Sequence, residues 1–357
     1  MMRWFILLLG GKTNKRGGCQ RWTSYTSMFS SLMRFFSFAR GMAPAVVCGS
    51  IISCTITPVT PPSVKARDLP IVHQAAKDSY VRTIQSGSDT FSVQTGSRLF
   101  RKTGAPDVDL VGAMHAAEAG YYREIQAMLA KSDLVLYEGV TDGTRKDPFE
   151  LPTDEDQKKS GYGRLASALG LIPQHEGIDY RPKSFRNCDL TIQQMQSMLQ
   201  EEIKRGDQAS AGAKSADKEL RQVGRMIGGK SWLINGVIGL VGSNAMLRER
   251  VRFMLVASGT DTDSENMLDA RLQRLILEDR NAHVIKELRR IMRRESHHRI
   301  AIFYGAGHFP DMQKRLIAMG YQPAGPIRWN TAVTSHPYSC GITGDEVLEM
   351  LGKKTSD

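Results

Sequence analysis

The sequence predicts an α/β fold: a mixed central sheet with β-α-β units, two strand–Gly-x-x-His–helix elements and a largely helical insertion. Three observations predict it. Two stretches, "DLVGAMHAAEAGYYREI" and "IFYGAGHFPDMQKRL", each pass from an apolar β-like segment through Gly-x-x-His into a helical pattern. Residues 107–140 read as strand, amphipathic helix and strand, the pattern of parallel strands joined by a crossover helix. Residues from about 153 to 262 read instead as helices interrupted by glycines. The 357 residues are 41% hydrophobic and 24% charged, with enough Leu, Ile, Val and Phe to build a core, which argues against a disordered chain.

The amino-terminal region reads as an address. Residues 1–53 hold seven basic residues and no acidic ones, so the formal charge of +11 falls to +4 over the remainder. With a body only mildly basic and no aromatic-plus-basic motif, no nucleic-acid partner is expected. Arg34 and Arg40 precede an apolar stretch, Met42–Ile52, that is too short for a stable bilayer span. It ends in Ile51-Ile52-Ser53-Cys54, which resembles a bacterial lipobox. That resemblance implies lipidation at Cys54, an exported protein held in the cell envelope by a lipid anchor, a start at Met33 and an over-extended frame before it. An ordinary secretory signal is the alternative. Residues 55–87, rich in Pro and Thr at their start, then read as a tether.

The folded part, 88–335, follows in order. Residues 89–104 read as a strand, a Gly turn and a second strand. "VDLVGAMH" is a short buried strand. "AAEAGYYREIQAMLAKS" carries apolar residues at helical spacing, and "DLVLYEGV" is another buried strand. In the insertion, "IQQMQSMLQEEIKRG" is a charged helix and "WLINGVIGLVG" a buried helix or lid. Residues 264–296 form one amphipathic helical region; "RIAIFYGAGH" is the second motif strand, and Gly320 stops the helix after it. "YQPAGPIRWNTAV" is a last strand, and 336–357 is a tail. Cys188 and Cys340 are open to pairing or to standing as separate thiols.

Ligands of open α/β sheets gather at the carboxyl ends of the strands, where His115, Glu138 and His308 stand on this reading. Gly112, Gly305 and Gly307 are expected to let the backbone turn sharply there. Two neutral imidazoles and a carboxylate form a common ligand set for a catalytic divalent metal. His175, Glu176 and Asp179, in the loop "PQHEGIDY", are candidates to complete a metal shell or to contact substrate, His175 and Asp179 above all the latter. The "ESHH" cluster at Glu295–His298 reads as structural, its cations suiting a helix carboxyl terminus.

Gly112-Ala113-Met114-His115, Tyr137-Glu138-Gly139, Asp279-Arg280-Asn281 and Gly305-Ala306-Gly307-His308, in that order, resemble the TraB/PrgY/GumN family, which includes the TIKI metal-dependent proteases. The similarity spans residues 88–332; one departure is Asp279, where Glu is expected. The resemblance implies that His115, His308 and Glu138 hold a divalent metal ion (Mn, Co or Zn), and that Arg280 and Asn281 support the site. A guanidinium offers a planar fork for a carboxylate, either that of Glu138 or that of a peptide. An Asn can orient a His ligand or a developing oxyanion. The expected activity is metal-dependent hydrolysis of a peptide or small envelope substrate, with Glu138 as ligand or general base. The alternative is a non-catalytic protein that captures a peptide or envelope ligand in the same crevice.

Overall fold

The computed structural model describes residues 57–63, 71–74, 78–141, 161–206, 209–228, 232–260 and 270–352, all within one compact unit. The lipobox reading, Cys54 and the start of the insertion at 153 lie outside the described residues.

The architecture is α/β with a mixed sheet. Strands β1 (Ile71–Gln74), β2 (Val81–Gly87), β3 (Thr90–Arg101) and β4 (Asp107–Ala113) run antiparallel to their sequence neighbours. A two-residue strand β5 (Ala116–Ala117) and helix α1 (Ala119–Leu129) lead to β6 (Leu134–Tyr137). The insertion holds α2 (Gly161–Ala168), β7 (Ile172–Pro173), the single-turn α3 (Gln174–Gly177), β8 (Phe185–Asn187), α4 (Ile192–Arg205), α5 (Ala209–Gly228), α6 (Trp232–Ser243) and α7 (Ala245–Ala257). After α8 (Ala270–Arg274), a π-helical turn (Leu275–Asp279) runs into α9 (Arg280–Arg294). Then come β9 (Arg299–Gly305), a 3-10 turn (Ala306–His308), α10 (Phe309–Ala318), β10 (Gln322–Pro323), β11 (Arg328–Ser335) and α11 (Gly344–Met350).

The path across the sheet is β1-β2-β3-β4-β9-β6-β8, with β10 and β11 on β3. β4, β9, β6 and β8 are parallel, so β9 slots between the two strands that α1 connects. Both faces of this sector are covered, and β9 shows it residue by residue. Ile300, Ile302 and Tyr304 face a core shared with Val284, Leu288 and Ile291 of α9 and Met312 and Leu316 of α10. Ala301 and Phe303 face the opposite core, with Tyr121, Ile125 and Leu129 of α1. A strand buried on both sides reads as a continuous apolar run, as "IAIFY" does. The insertion has its own small core, in which Met195 and Leu199 of α4 meet Ala213, Ala216 and Leu220 of α5 and Leu272 of α8.

Several expectations change. Residues 89–104 are not two strands: β3 passes through Gly96 without a break. Glycine is needed there because a β-carbon would meet Ile327 Cγ2 at 2.6 Å and Tyr80 Cδ1 at 3.1 Å. β2 pairs with β3 up to Thr95 and β4 from Ser97 onward, while β11 spans that point on the other edge. Gly96 is therefore the hand-over between two partners. The tether reading of 55–87 fails at residue 71, where β1 and β2 join the sheet. They escaped notice because buried positions of β2 are polar: Thr83 and Gln85 are 0% and 8% exposed. The tail from 336 is likewise built in. Asp89 accepts the N–H groups of Tyr338 and Ser339, and Tyr338, Ile342, Val347 and Leu351 pack into the core. Residues 264–296 are not one regular helix, since the π turn divides the described part. Helix α6 buries Val241 but leaves Leu240 37% exposed, so it is not enclosed on all sides. Among the described residues no helix is long and apolar enough to cross a membrane. Cys188 and Cys340 are free thiols.

Candidate functional site

The sheet order explains why the strand–Gly-x-x-His unit occurs twice. β4 and β9 are parallel neighbours in register, with Gly112 opposite Tyr304 and Ala113 opposite Gly305. His115 lies two residues beyond one strand end and His308 three beyond the next. On the other side of β9, Tyr137 pairs with Phe303, and Glu138 follows it directly. Three adjacent parallel strands thus deliver the three side chains to one place. Their meeting point is measurable: the position a β-carbon would take on Gly305 lies 3.2 Å from Glu138 Oε2, 3.7 Å from His308 Cδ2 and 3.9 Å from His115 Nε2.

The glycines act by clearance and not by tight turning. None of Gly112, Gly305 and Gly307 has a positive φ. A β-carbon on Gly112 would strike the Gly96 carbonyl oxygen at 2.5 Å, so this glycine lets β3 and β4 approach. The missing side chain of Gly305 leaves the gap between Glu138 and the imidazoles. Gly307 faces open space.

Each imidazole is held by an amide. Asn281 donates its Nδ2 to the His308 carbonyl (3.2 Å) and to Asp311 Oδ2 (2.9 Å), which leaves Oδ1 to accept from His308 Nδ1 at 2.7 Å. Gln174 donates Nε2 to the Tyr180 hydroxyl and turns Oε1 to His115 Nδ1 at 3.0 Å. Both rings then carry their proton on Nδ1 and present a bare Nε2. The backbone fixes Gln174 as well, for its N–H donates to the His115 carbonyl at 2.7 Å, beside the β5–β7 pairing. Tyr121 and Tyr122 of α1 donate their hydroxyls to the carbonyls of Gly112 and Met114, pinning the first motif's turn.

Glu138 is gripped from two sides. Its Oε2 accepts the Gly305 N–H at 2.7 Å and its Oε1 accepts Arg280 Nη2 at 2.6 Å. His308 Nε2 stands 3.8 Å from Oε1. Burial opposes ionisation of this carboxyl, but Arg280, the imidazoles and the Gly305 N–H outweigh it and hold its pKa well below the usual range. Burial lowers the pKa of both imidazoles, His308 to about 4, against the pull of Glu138. Arg280 is itself buried, and Asp189 with Glu138 keeps it charged. Two carboxylates against one guanidinium leave this enclosed cluster with one formal negative charge, beside two neutral nitrogen donors. That donor chemistry fits a cation, and His115, His308 and Glu138 are the residues that could hold it. Among the described residues, no three His, Cys, Asp or Glu side chains are gathered closely enough to enclose an ion as they stand.

Of the two carboxylates open to Arg280, the guanidinium meets that of Glu138; of the two roles open to Asn281, it orients a histidine. Asp179 makes no described contact with the cluster. Asp179 is bound by Arg181 at 2.7 Å on the surface, and His175 lies 3.9 Å from Glu176. Asp279 pairs with Arg271 at 2.8 Å, away from the cluster. Two participants went unread. Gln174 stands next to His175, in the loop already under suspicion. Asp189 forks Arg280 through Nε–Oδ1 (2.8 Å) and Nη2–Oδ2 (2.6 Å). Its signal was available: it lies two residues past β8, a fourth parallel strand end.

Comparison with known proteins returns no match: no family model, no curated protein and no solved structure.

Proposed function

We propose that the chain is a TraB/GumN-like hydrolase of the cell envelope that cleaves peptide bonds with a divalent cation held by His115, His308 and Glu138. One observation carries the reading. Two imidazoles from separate strand ends each have Nδ1 tied to an amide oxygen, so that Nε2 is left bare, and both rings border the Gly305 gap beside an ionised Glu138. A bound divalent cation would polarise a carbonyl and lower the pKa of water. The chain's own groups do the rest. Asn281 and Gln174 keep the rings in one tautomer. Arg280 fixes the Glu138 carboxylate, and Asp189 fixes Arg280. Glu138 contributes negative charge and, with lone pairs left on both oxygens, a place to hold water by hydrogen bonding. His115 is the more exposed of the two histidines and marks the approach. Cys54, if lipidated, would tether the domain to a membrane.

A second reading, capture of a peptide without cleavage, has one observation on its side. Arg280 and Asn281, the groups a substrate would look to, are both already bonded to protein partners. One experiment separates the two. Titration with Mn, Co and Zn, followed by incubation with a mixed peptide library, should give one bound ion per chain and new peptide termini. Both should be lost in His115→Ala and His308→Ala variants that remain folded. Peptide binding that survives chelation without product would replace the hydrolase reading by the capture reading. Wild-type cleavage in both variants would end the assignment of the site.

A further inference from the structure

At the opposite ends of the same strands, a cleft of about 350 Å³ opens between the β3–β4 turn, the last turns of α9 and the end of α10. Met292 and Met319 line it with apolar surface above the buried Tyr321 ring, and Lys102, Arg289 and Arg293 contribute three cations. Lys102 Nζ donates to the Met319 carbonyl at 2.7 Å. Among the described residues, none of the three cations has a carboxylate partner. The acids on adjoining stretches are engaged elsewhere: Asp107 with Arg101, Glu287 with Arg290 and Glu295 with Arg186. Lys286, Arg289 and Arg293 succeed one another along the exposed face of α9, so the positive rim runs beyond the cleft. Compensation of the helix dipole accounts for Arg293 and Arg294 in the last turn. It does not account for Lys286 and Arg289 before them, nor for Lys102 on a different element.

From this face we infer a docking surface for an anionic phospholipid bilayer, with one acidic headgroup seated among Lys102, Arg289 and Arg293. Unpaired cations beside apolar surface match a ligand whose charge and hydrocarbon are adjacent, as at the boundary between headgroups and acyl chains. A nucleic acid is the poorer match, since the one aromatic ring in the cleft, Tyr321, is 1% exposed and offers no face for a base. The inference is independent of the hydrolase reading, because the cleft shares no residue with that site.

The test is co-sedimentation of the full chain with vesicles of phosphatidylglycerol mixed with phosphatidylcholine, against phosphatidylcholine alone. The amino-terminal segment, with its seven basic residues, itself favours the anionic arm, but equally in wild type and in every variant, so the deciding comparison is between wild type and variant on anionic vesicles. Wild type should prefer the anionic vesicles, less so at high salt. Arg289→Ala with Arg293→Ala should lower binding to them about thirty-fold, the loss of two surface charges. Both side chains are exposed, so the thermal midpoint should move only by the small helix-dipole contribution of Arg293; Lys102→Gln gives an independent smaller loss. A double variant that keeps the wild-type preference would overturn the proposal. So would a single-stranded oligonucleotide that binds wild type more tightly than the vesicles and displaces them.

Discussion

Asp189 holds Arg280 by two hydrogen bonds, 2.8 Å at Nε and 2.6 Å at Nη2, and the same Nη2 reaches Glu138 at 2.6 Å. The Asp189 side chain is 0% exposed and that of Arg280 is 6% exposed. Glu138 still neutralises the guanidinium when Asp189 loses its charge, so what Asp189→Asn weakens is a pair of charge-assisted hydrogen bonds to a buried cation. Asp189→Asn should therefore cost about 1.5–3 kcal/mol of folding stability, measured by chemical denaturation. A loss below about 1 kcal/mol would mean that Glu138 alone suffices to hold the guanidinium.

The amide locks make a prediction about metal affinity. Asn281→Leu and Gln174→Leu each remove the acceptor for one Nδ1–H and free that ring to change tautomer. Calorimetric titration with Mn, Co or Zn should show affinity falling about 10–100-fold in each. Gln174→Leu serves as the cleaner case, since Asn281 also bonds the His308 carbonyl. Unchanged affinity in both variants would remove the locks from the account of the site.

Gly305→Ala and Gly307→Ala form a matched pair. The first places a methyl 3.2 Å from Glu138 Oε2, inside the gap; the second meets nothing within 4 Å. Cation binding should be lost in Gly305→Ala and retained in Gly307→Ala, which should be neutral or more stable by about 0.4–1 kcal/mol. If both variants bind alike, the gap is not where the cation sits.

Acid should weaken the metal-free protein through His308. Burial depresses its pKa to about 4, below the ordinary value of 6.5, so the fold favours the neutral ring. For such a group stability is complete above about pH 6.5 and is lost as pH falls toward 4, where the folded protein also takes up the proton. The loss over that window should be about 3 kcal/mol. Stability measured against pH should fall less steeply across it in His308→Gln, with the depressed His115 supplying part of the remaining slope. A wild-type curve already flat between pH 4 and 6.5 would contradict the buried neutral ring.

What was legible in the sequence was local. Each Gly-x-x-His unit carries its strand, its histidine and its helix within about fifteen residues, and Glu138 ends an apolar run. What escaped depends on pairings that join distant segments. Asp189 reaches Arg280 across 91 positions, and only because β8 lies beside β6. Gln174 reaches His115 across 59, through the β5–β7 ladder. Gly96 looked like a turn because glycine marks turns, yet here it admits Ile327 and Tyr80 against a continuous strand. Strand β2 was hidden because its buried Thr83 and Gln85 erase the apolar alternation that announces a strand.

β9 occupies the lane between β4 and β6, and it is the last of the three to leave the ribosome. Until residues 299–305 have been made, the two earlier strands have no partner for their facing edges. Closing the sheet must bring together segments separated by well over a hundred positions, an arrangement that slows folding and prolongs the exposure of sticky edges. A nascent or truncated chain ending within α9 is therefore a natural client for chaperones. The late strand that completes the sheet also completes the histidine pair, so the two imidazoles and Glu138 cannot meet before residue 308 has been made.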